Sequence, residues 1–448
     1  MRILHYALGF PPYRSGGLTE YVIDLAKEEV RQGNSVGLMW PGRMTGNHKT
    51  AIKKTSGGAE IISYELVNPL PVPLLNGILD IDLFSGHYDR AFFDEFLRDL
   101  HPDVIHFHTL MGLPPEFVQA ASDMKIRTVF TTHDYFGLCA KTNFLYHEDN
   151  CSNWSSCKDC FRCNQTALSF RTICAMQSPL YRTVKGLPFM QILRDRKKHS
   201  VQEEDKIQSE KISNDISEKH AQDYKNLRDF YVRMLLQMDV IHFNSNLSKQ
   251  VYLHFFQPKN STVIPVLHAN IKDRRASKQF GDCLRIAYLG PAGAYKGYYM
   301  LLQALDQIYA DGFTNMELHL YNQSSDVRPY VVHHSPYLPP ELPDILSNID
   351  LLVVPSLWYE TYGFAVPEAL SCGVPVLATS HVGAQDLIEQ GGGMIVEPEL
   401  KELTDAILSV YKDRSLLLKF NQAIFTDKTM SFHFPDHVKK IMELYEKG

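Results

Sequence analysis

No run of about 18 consecutive apolar residues, the length a membrane-spanning helix needs, occurs in this 448-residue chain. The start, MRILHYALGFPP, also lacks a charged leader followed by a long apolar stretch; it reads as a short strand stopped by prolines. The expectation is an unsecreted, cytoplasmic protein. An excess of positive charge is missing too. With 45 Lys and Arg against 51 Asp and Glu, the net charge is −6, so there is no broad electrostatic reason to bind nucleic acid, and any basic surface is local. Proline and glycine (24 and 26) are not gathered into low-complexity tracts, which excludes a fibrous or wholly disordered class. Cysteine is scarce outside one place. Five of the eight cysteines lie between Cys139 and Cys163, which excludes the disulfide framework of a small secreted domain and marks a local device.

What is present is a two-part α/β pattern. The length exceeds the roughly 100–200 residues of one ordinary domain. Short apolar or β-branched runs at 2–6, 35–39, 104–107, 127–132 and 240–244 alternate with helix-length segments, as buried parallel strands do. The second half repeats this at 284–289, 316–321, 350–355, 375–379 and 394–397. The polar stretch 268–282 lacks an apolar period and is the expected linker. Two Rossmann-like domains facing across a cleft follow: 1–270, with an insertion at 139–230 that breaks the alternation, and 271–448, whose last helix is a candidate to cross back.

The segment VPSLWYETYGFAVPEALSCGVPVLATS carries the most chemistry. A strand ends at Pro355-Ser356, a loop carries Glu360 and Gly363, and a helix with Val366, Ala369 and Leu370 on its apolar face holds Glu368 in its first turns. Backbone N–H groups of Tyr362, Gly363, Phe364 and Ala365 at such a helix start suit a diphosphate or sugar oxygens. Glu368 is placed to accept hydrogen bonds from the two ribose hydroxyls, and Glu360 to reach a sugar. Most glutamates are merely solvated; strand, glycine, helix start and carboxylate spacing in one segment favour the functional reading.

This segment resembles the E-x7-E motif of the retaining glycosyltransferases of family 4, whose fold is GT-B. The resemblance implies a first Glu, here Glu360, on the donor sugar and a second, Glu368, on the nucleotide ribose. YLGPAGAYKG is similar to the family's phosphate loop, with Lys296 facing the donor diphosphate; Pro291 stands where the family usually has Arg, which puts a two-cation clamp in doubt. FPPYRSGGLTEYVIDLA resembles the family's N-terminal glycine loop, with Gly16 and Gly17 approaching the diphosphate from the other domain. TTHDYF is similar to its acceptor-side segment and sets His133 beside the donor sugar; His106 and His108 read equally well as core residues. The implied activity is transfer of a hexose or N-acetylhexosamine, a UDP-sugar being the favoured donor, to a glycan, lipid-linked or small-molecule acceptor. No catalytic metal is expected, and Asp80 and Asp82 read as a surface carboxylate pair. A nucleotide-sugar 2-epimerase and a non-enzymatic sugar-nucleotide-binding or assembly protein share these features and stay open.

Two features lie outside that motif set. Cys151, Cys157, Cys160 and Cys163, with Cys139 as a possible substitute, have the spacing of a structural zinc site; an iron–sulfur centre or plain reduced thiols are the alternatives. Between Arg171 and Lys198, basic residues interleave with Leu187, Phe189, Met190, Ile192 and Leu193. Such a stretch suits peripheral contact with an anionic membrane face, or a basic helix packed on the N-terminal domain.

Overall fold

A computed structural model of the chain describes residues 1–446 apart from 12, 13, 15, 48, 56–60, 75, 147, 148, 185–213 and 323. Two large sheets carry the fold, one of eight strands and one of six. From edge to edge the first runs Ser261–Val263, Val240–Phe243, Arg127–Thr132, Val104–Phe107, Arg2–Tyr6, Ser35–Pro41, Ile61–Val67 and Ala51–Thr55. Its strands are parallel except for the last pair, which is antiparallel; the sequence pattern did not announce those two strands. The second sheet runs Val331–His333, Met316–Leu320, Leu284–Tyr288, Leu351–Val354, Val376–Thr379 and Gly393–Val396, all parallel. Helices cover the strands, and the VIHF segments 104–107 and 240–243 are buried at every position, as two-sided cover of a parallel sheet requires.

The helix Gly17–Arg31 begins at Gly16, whose φ of 123° suits glycine. It buries Tyr21, Val22, Leu25 and Ala26; full burial of each large apolar side chain contributes about 1.5–3 kcal/mol. The last helix, Phe434–Glu443, opens with a proline in its first turn and buries Phe434, His437, Val438 and Ile441. It returns to the first sheet's side of the molecule: the Tyr21 hydroxyl bonds His437 Nε2 at 3.1 Å, and Arg127 Nε donates to the Leu444 carbonyl at 3.1 Å.

Residues 264–283 hold no helix or strand. The Ala269 N–H donates to Asp24 at 2.9 Å and Asn270 to Glu20 at 2.8 Å, pinning this crossing to the first helix. Within the insertion, the polar-looking Ala221–Gln237 is a core helix burying Tyr224, Leu227, Phe230, Tyr231, Met234 and Leu235. The basic stretch from Arg171 is described only as far as residue 184, in the short helices Phe170–Met176 and Pro179–Val184; Leu187, Phe189, Met190, Ile192, Leu193 and the basic residues up to Lys198 lie outside the described residues. No helix among the described residues is long and apolar enough to cross a membrane.

Candidate active site

Strand ends of the second sheet build one wall. Leu284–Tyr288 leads through a glycine loop and the turn Ala294–Lys296 to the helix Tyr298–Ala310. At the junction, Gly297 has φ 71°, and a Cβ there would lie 1.7 Å from the Pro355 carbonyl oxygen. The phosphate-loop candidate and the loop after Leu351–Val354 therefore touch backbone to backbone, which only glycine permits. This contact sets Lys296 against Glu360: Nζ to Oε1 is 2.6 Å. The other carboxylate oxygen accepts from Ser356 Oγ at 2.7 Å, and the ammonium lies 5.1 Å from the Trp358 ring centroid. The sequence assigned the lysine and the glutamate to different parts of a donor; the structure shows them as a pair.

Gly363, with φ 99°, turns the chain into the helix Ala365–Ser371. Tyr362 is buried and Phe364 caps the helix start. Glu368 Oε1 lies 3.2 Å from His268 Nε2, and His268 is only 6% exposed. Burial first, and the Glu368 charge second, push the Tyr337 hydroxyl up to about 12, so Tyr337 also stands beside this carboxylate.

The opposite wall comes from the first sheet. A Cβ on Gly17 would stand 3.1 Å from the Phe364 ring. Thr361 Oγ1 donates to the His133 carbonyl at 2.9 Å, and Ser245 Oγ donates to the Thr361 carbonyl at 2.6 Å. The loop between Glu360 and Glu368 is thus stitched to the strand end that carries His133. Burial lowers His133 to about 3 and raises Asp134 to about 6, although each keeps part of its surface exposed. His133 is a neutral imidazole at physiological pH. Among the sequence-derived residues, Lys296 meets Glu360, Gly17 stands against Phe364, and the loop that carries Tyr362, Gly363, Phe364 and Ala365 on to Glu368 is tied to His133 through Thr361; Gly16 precedes the first helix. Asp80 and Asp82 are exposed and outside these contacts.

The cysteines form a neighbouring knot. Cys157, 1% exposed and at φ 55°, shares a hydrogen bond with Cys160. Cys139 and Cys163 are close enough to Cys160 to act on its charge, and Cys151 faces Cys139 and Cys157. All are free thiols. Groups of three or more potential ligands whose atoms all lie within 4.8 Å of one another are, among the described residues, His5–His106–His108 and Glu20–Asp24–His268, so the thiols are gathered less tightly than those. Asn150 Nδ2 donates to the Leu357 carbonyl at 2.7 Å, and Trp154 packs edge-on against Tyr359 at 5.2 Å, so this segment supports the loop that carries Glu360.

Sequence reasoning gave no role to His5, Glu29, His242, His268, Tyr337 or Tyr445. A signal existed for some. The strands RILHY, VIHF and VIHF each place a histidine at a similar point, and the parallel register sets His5 opposite His106 and Thr131 opposite His242.

Residues 15–155 match the family model described as Glycosyltransferase Family 4, and residues 284–413 match that of Glycosyl transferases group 1. The two ranges together span more than half of the chain. It belongs to glycosyltransferase family 4. This family 4 protein is 23% identical, over 83% of each chain, to an uncharacterized 42.6 kDa protein in the cps region of Klebsiella pneumoniae. It is 29% identical to a lipopolysaccharide core biosynthesis mannosyltransferase of Rhizobium meliloti, over 23% of this chain and 31% of that one. Among solved structures, Anabaena Alr3699/HepE in complex with UDP-glucose superposes with a TM-score of 0.55 at 14% identity, covering 99% of this chain and 98% of that one. The fold is GT-B, and the chain is a glycosyltransferase.

Proposed function

We propose that this glycosyltransferase moves a hexose or N-acetylhexosamine from a UDP-sugar to a glycan or lipid-linked acceptor with retention at the anomeric carbon. Residues 271–448 are assigned to the donor and 1–270 to the acceptor. The observation that carries the reading is the Lys296–Glu360 pair, held by Thr361 against the His133 strand end. A lysine at a glycine-opened turn offers its charge to a diphosphate, Glu368 offers its carboxylate to vicinal ribose hydroxyls, and Glu360, bonded to that lysine, is assigned to the sugar. The solved GT-B relative holds UDP-glucose, which supports UDP as the nucleotide.

In the reaction we infer, the sugar–phosphate bond breaks as the acceptor oxygen arrives on the same face. The leaving phosphate oxygen takes the acceptor hydroxyl proton, and Lys296 with the loop N–H groups meets the charge left on UDP. None of these steps draws on a metal. We assign the thiol knot to a structural zinc on the chemistry of its donors, since thiolates are preferred zinc ligands; Cys151, Cys157, Cys160 and Cys163 would hold it on drawing together, with Cys139 as a possible substitute. Peripheral contact with an anionic membrane face is proposed for the basic stretch that starts at Arg171. A panel of nucleotide sugars scored by thermal stabilisation tests the core of the proposal. A donor at a hundred times its Kd adds about 2.7 kcal/mol, and a protein that no UDP-sugar stabilises would sink the assignment.

A further inference from the structure

Behind His133 lies an unbroken line of buried polar groups that the reaction above does not use. His133 Nε2 meets His108 Nδ1 at 3.2 Å, His108 Nε2 meets His5 Nδ1 at 3.0 Å, and His5 Nε2 meets Glu29 Oε2 at 2.6 Å. His5 and Glu29 are 0% exposed and His108 is 1% exposed. Beyond Glu29 the line continues. Its Oε1 lies 2.7 Å from the Tyr445 hydroxyl, which lies 2.9 Å from His106 Nδ1. His106 Nε2 meets Thr131 Oγ1 at 2.7 Å, Thr131 Oγ1 meets His242 Nδ1 at 2.8 Å, and His242 Nε2 ends on the Ile264 carbonyl at 2.7 Å.

The direction of these bonds follows from counting hydrogens. A carbonyl only accepts, so His242 must donate to Ile264 from Nε2. Thr131 and Tyr445 have one proton each. With an ionised Glu29 and neutral imidazoles, one bond between Ile264 and Glu29 would set two acceptors against each other, at a cost that a buried site does not bear. The line therefore holds one extra proton. Burial opposes a charge on His106 and His242, so Glu29 Oε1 is the donor to Tyr445, and Glu29 Oε2 accepts from His5 Nε2–H. His5 Nδ1 then accepts from His108 Nε2–H, and His108 Nδ1 accepts from His133 Nε2–H. Burial holds His108 well below the usual imidazole range, which keeps the links neutral. The other groups facing this line are the Tyr21 ring, 5.2 Å from His133 and 6.0 Å from His108, and His437, bonded to the Tyr21 hydroxyl.

We propose that Glu29, His5 and His108 are positioning residues that lock His133 in its Nε2–H tautomer, so that Nδ1 is the unprotonated nitrogen offered to the cleft. His133 then serves the reaction as a neutral acceptor for a hydroxyl of the sugar or the acceptor. A lone neutral imidazole would populate both tautomers; here the fixed carbonyl of Ile264, at the far end of the line, selects one. The catalytic consequence rests on the donor-site reading above, whereas the tautomer does not.

Long-range proton–nitrogen NMR of the full chain carrying 15N-histidine tests it, with the His133 signals assigned through His133→Asn. His133 should show one Nε2–H form. Glu29→Leu should release it to a tautomer mixture. Glu29→Gln should restore the single form, because the amide donates to Tyr445 and its carbonyl accepts from His5. With UDP-glucose as probe, Glu29→Leu should lower kcat for hydrolysis about tenfold while KM moves less than about twofold, and Glu29→Gln should regain most of the loss. A wild-type His133 in the Nδ1–H form or in an even mixture overturns the proposal, as does an unchanged tautomer in Glu29→Leu. Zinc held by His5, His106 and His108 in the purified protein would also overturn it. Should Glu29→Leu not fold, the wild-type and Glu29→Gln spectra alone decide. Calorimetry with UDP reads the donor site separately: absent UDP binding beside the expected tautomer would remove the donor reading and leave the relay standing.

Discussion

Replacing Lys296 by Met separates two uses of one charge. In the structure the ammonium sits 2.6 Å from Glu360, with side-chain exposures of 20% and 15%. At an effective dielectric constant near 20, opposite unit charges about 4 Å apart attract by about 4 kcal/mol, and desolvation offsets much of that. The net worth of one charge-assisted contact to a diphosphate is about 1.5–3 kcal/mol, so Lys296→Met should weaken UDP binding by about 10- to 150-fold. The stranded Glu360 carboxylate faces the incoming phosphates and moves the loss toward the upper end. Glu360→Gln has the opposite sign for UDP. It releases Lys296 from its partner, so UDP should bind as tightly as to the wild type or more so, while turnover of a UDP-sugar falls. Titration calorimetry with UDP at low and at physiological salt reads both, and the Lys296→Met loss should shrink as salt screens the contact. Wild-type UDP affinity in Lys296→Met would refute the reasoning, as would an equal loss in both variants.

Glu368→Ala should weaken UDP about tenfold or more in the same assay, and strand the buried His268 without its partner, costing about 1–3 kcal/mol of stability; unchanged values of both would remove the ribose role. Gly297→Ala should destabilise by about 2–4 kcal/mol in urea unfolding, because both the left-handed φ and the Pro355 carbonyl oppose a Cβ; a change under about 0.5 kcal/mol would mean the two loops are not in contact. Burial depresses His133 and His437 to about 3 and His242 to about 4. Below about 6.5 the unfolded chain binds protons that these groups refuse, so stability is full above that pH and falls as pH drops toward 4; urea midpoints that stay flat from pH 7 to pH 5 would contradict this. Elemental analysis of protein purified without chelator should give near one zinc per chain. Cys160→Ser should impair donor turnover as well as acceptor use, since Asn150 and Trp154 touch the Glu360 loop; full activity in metal-free protein would overturn the zinc proposal.

Period and punctuation were enough to announce most strands. Buried parallel strands must be apolar on both faces, so VIHF and LLVV stand out from any window of the chain, and a glycine pair before Leu18, Tyr21, Val22 and Leu25 announces a turn into an amphipathic helix. The strands Ala51–Thr55 and Ile61–Val67 were not legible. They sit at an edge, where the outermost strand is partly exposed and carries Lys53 and Lys54, so no continuous apolar run forms. The helix Ala221–Gln237 was hidden in the same way, its apolar positions lying among charged ones beside an unusually polar stretch.

The residue types for donor chemistry were set by the sequence alone: Glu360, Lys296 and Glu368 are local signals, each within a few residues of a glycine and a strand end. Their partners were not. That Lys296 bonds Glu360, that His268 backs Glu368, and that Thr361 reaches the His133 carbonyl depend on loops 64, 100 and 228 residues apart in the chain, and no local pattern encodes which strand ends meet. The buried line from Ile264 to His133 is the extreme case. It draws on four strands, the first helix and a tyrosine near the last described residue, and a histidine on an apolar strand looks the same in sequence whether it packs alone or passes a hydrogen bond along. Only the parallel register and the return of the last helix, both consequences of burying apolar faces across the whole chain, decided that these groups stand in one file.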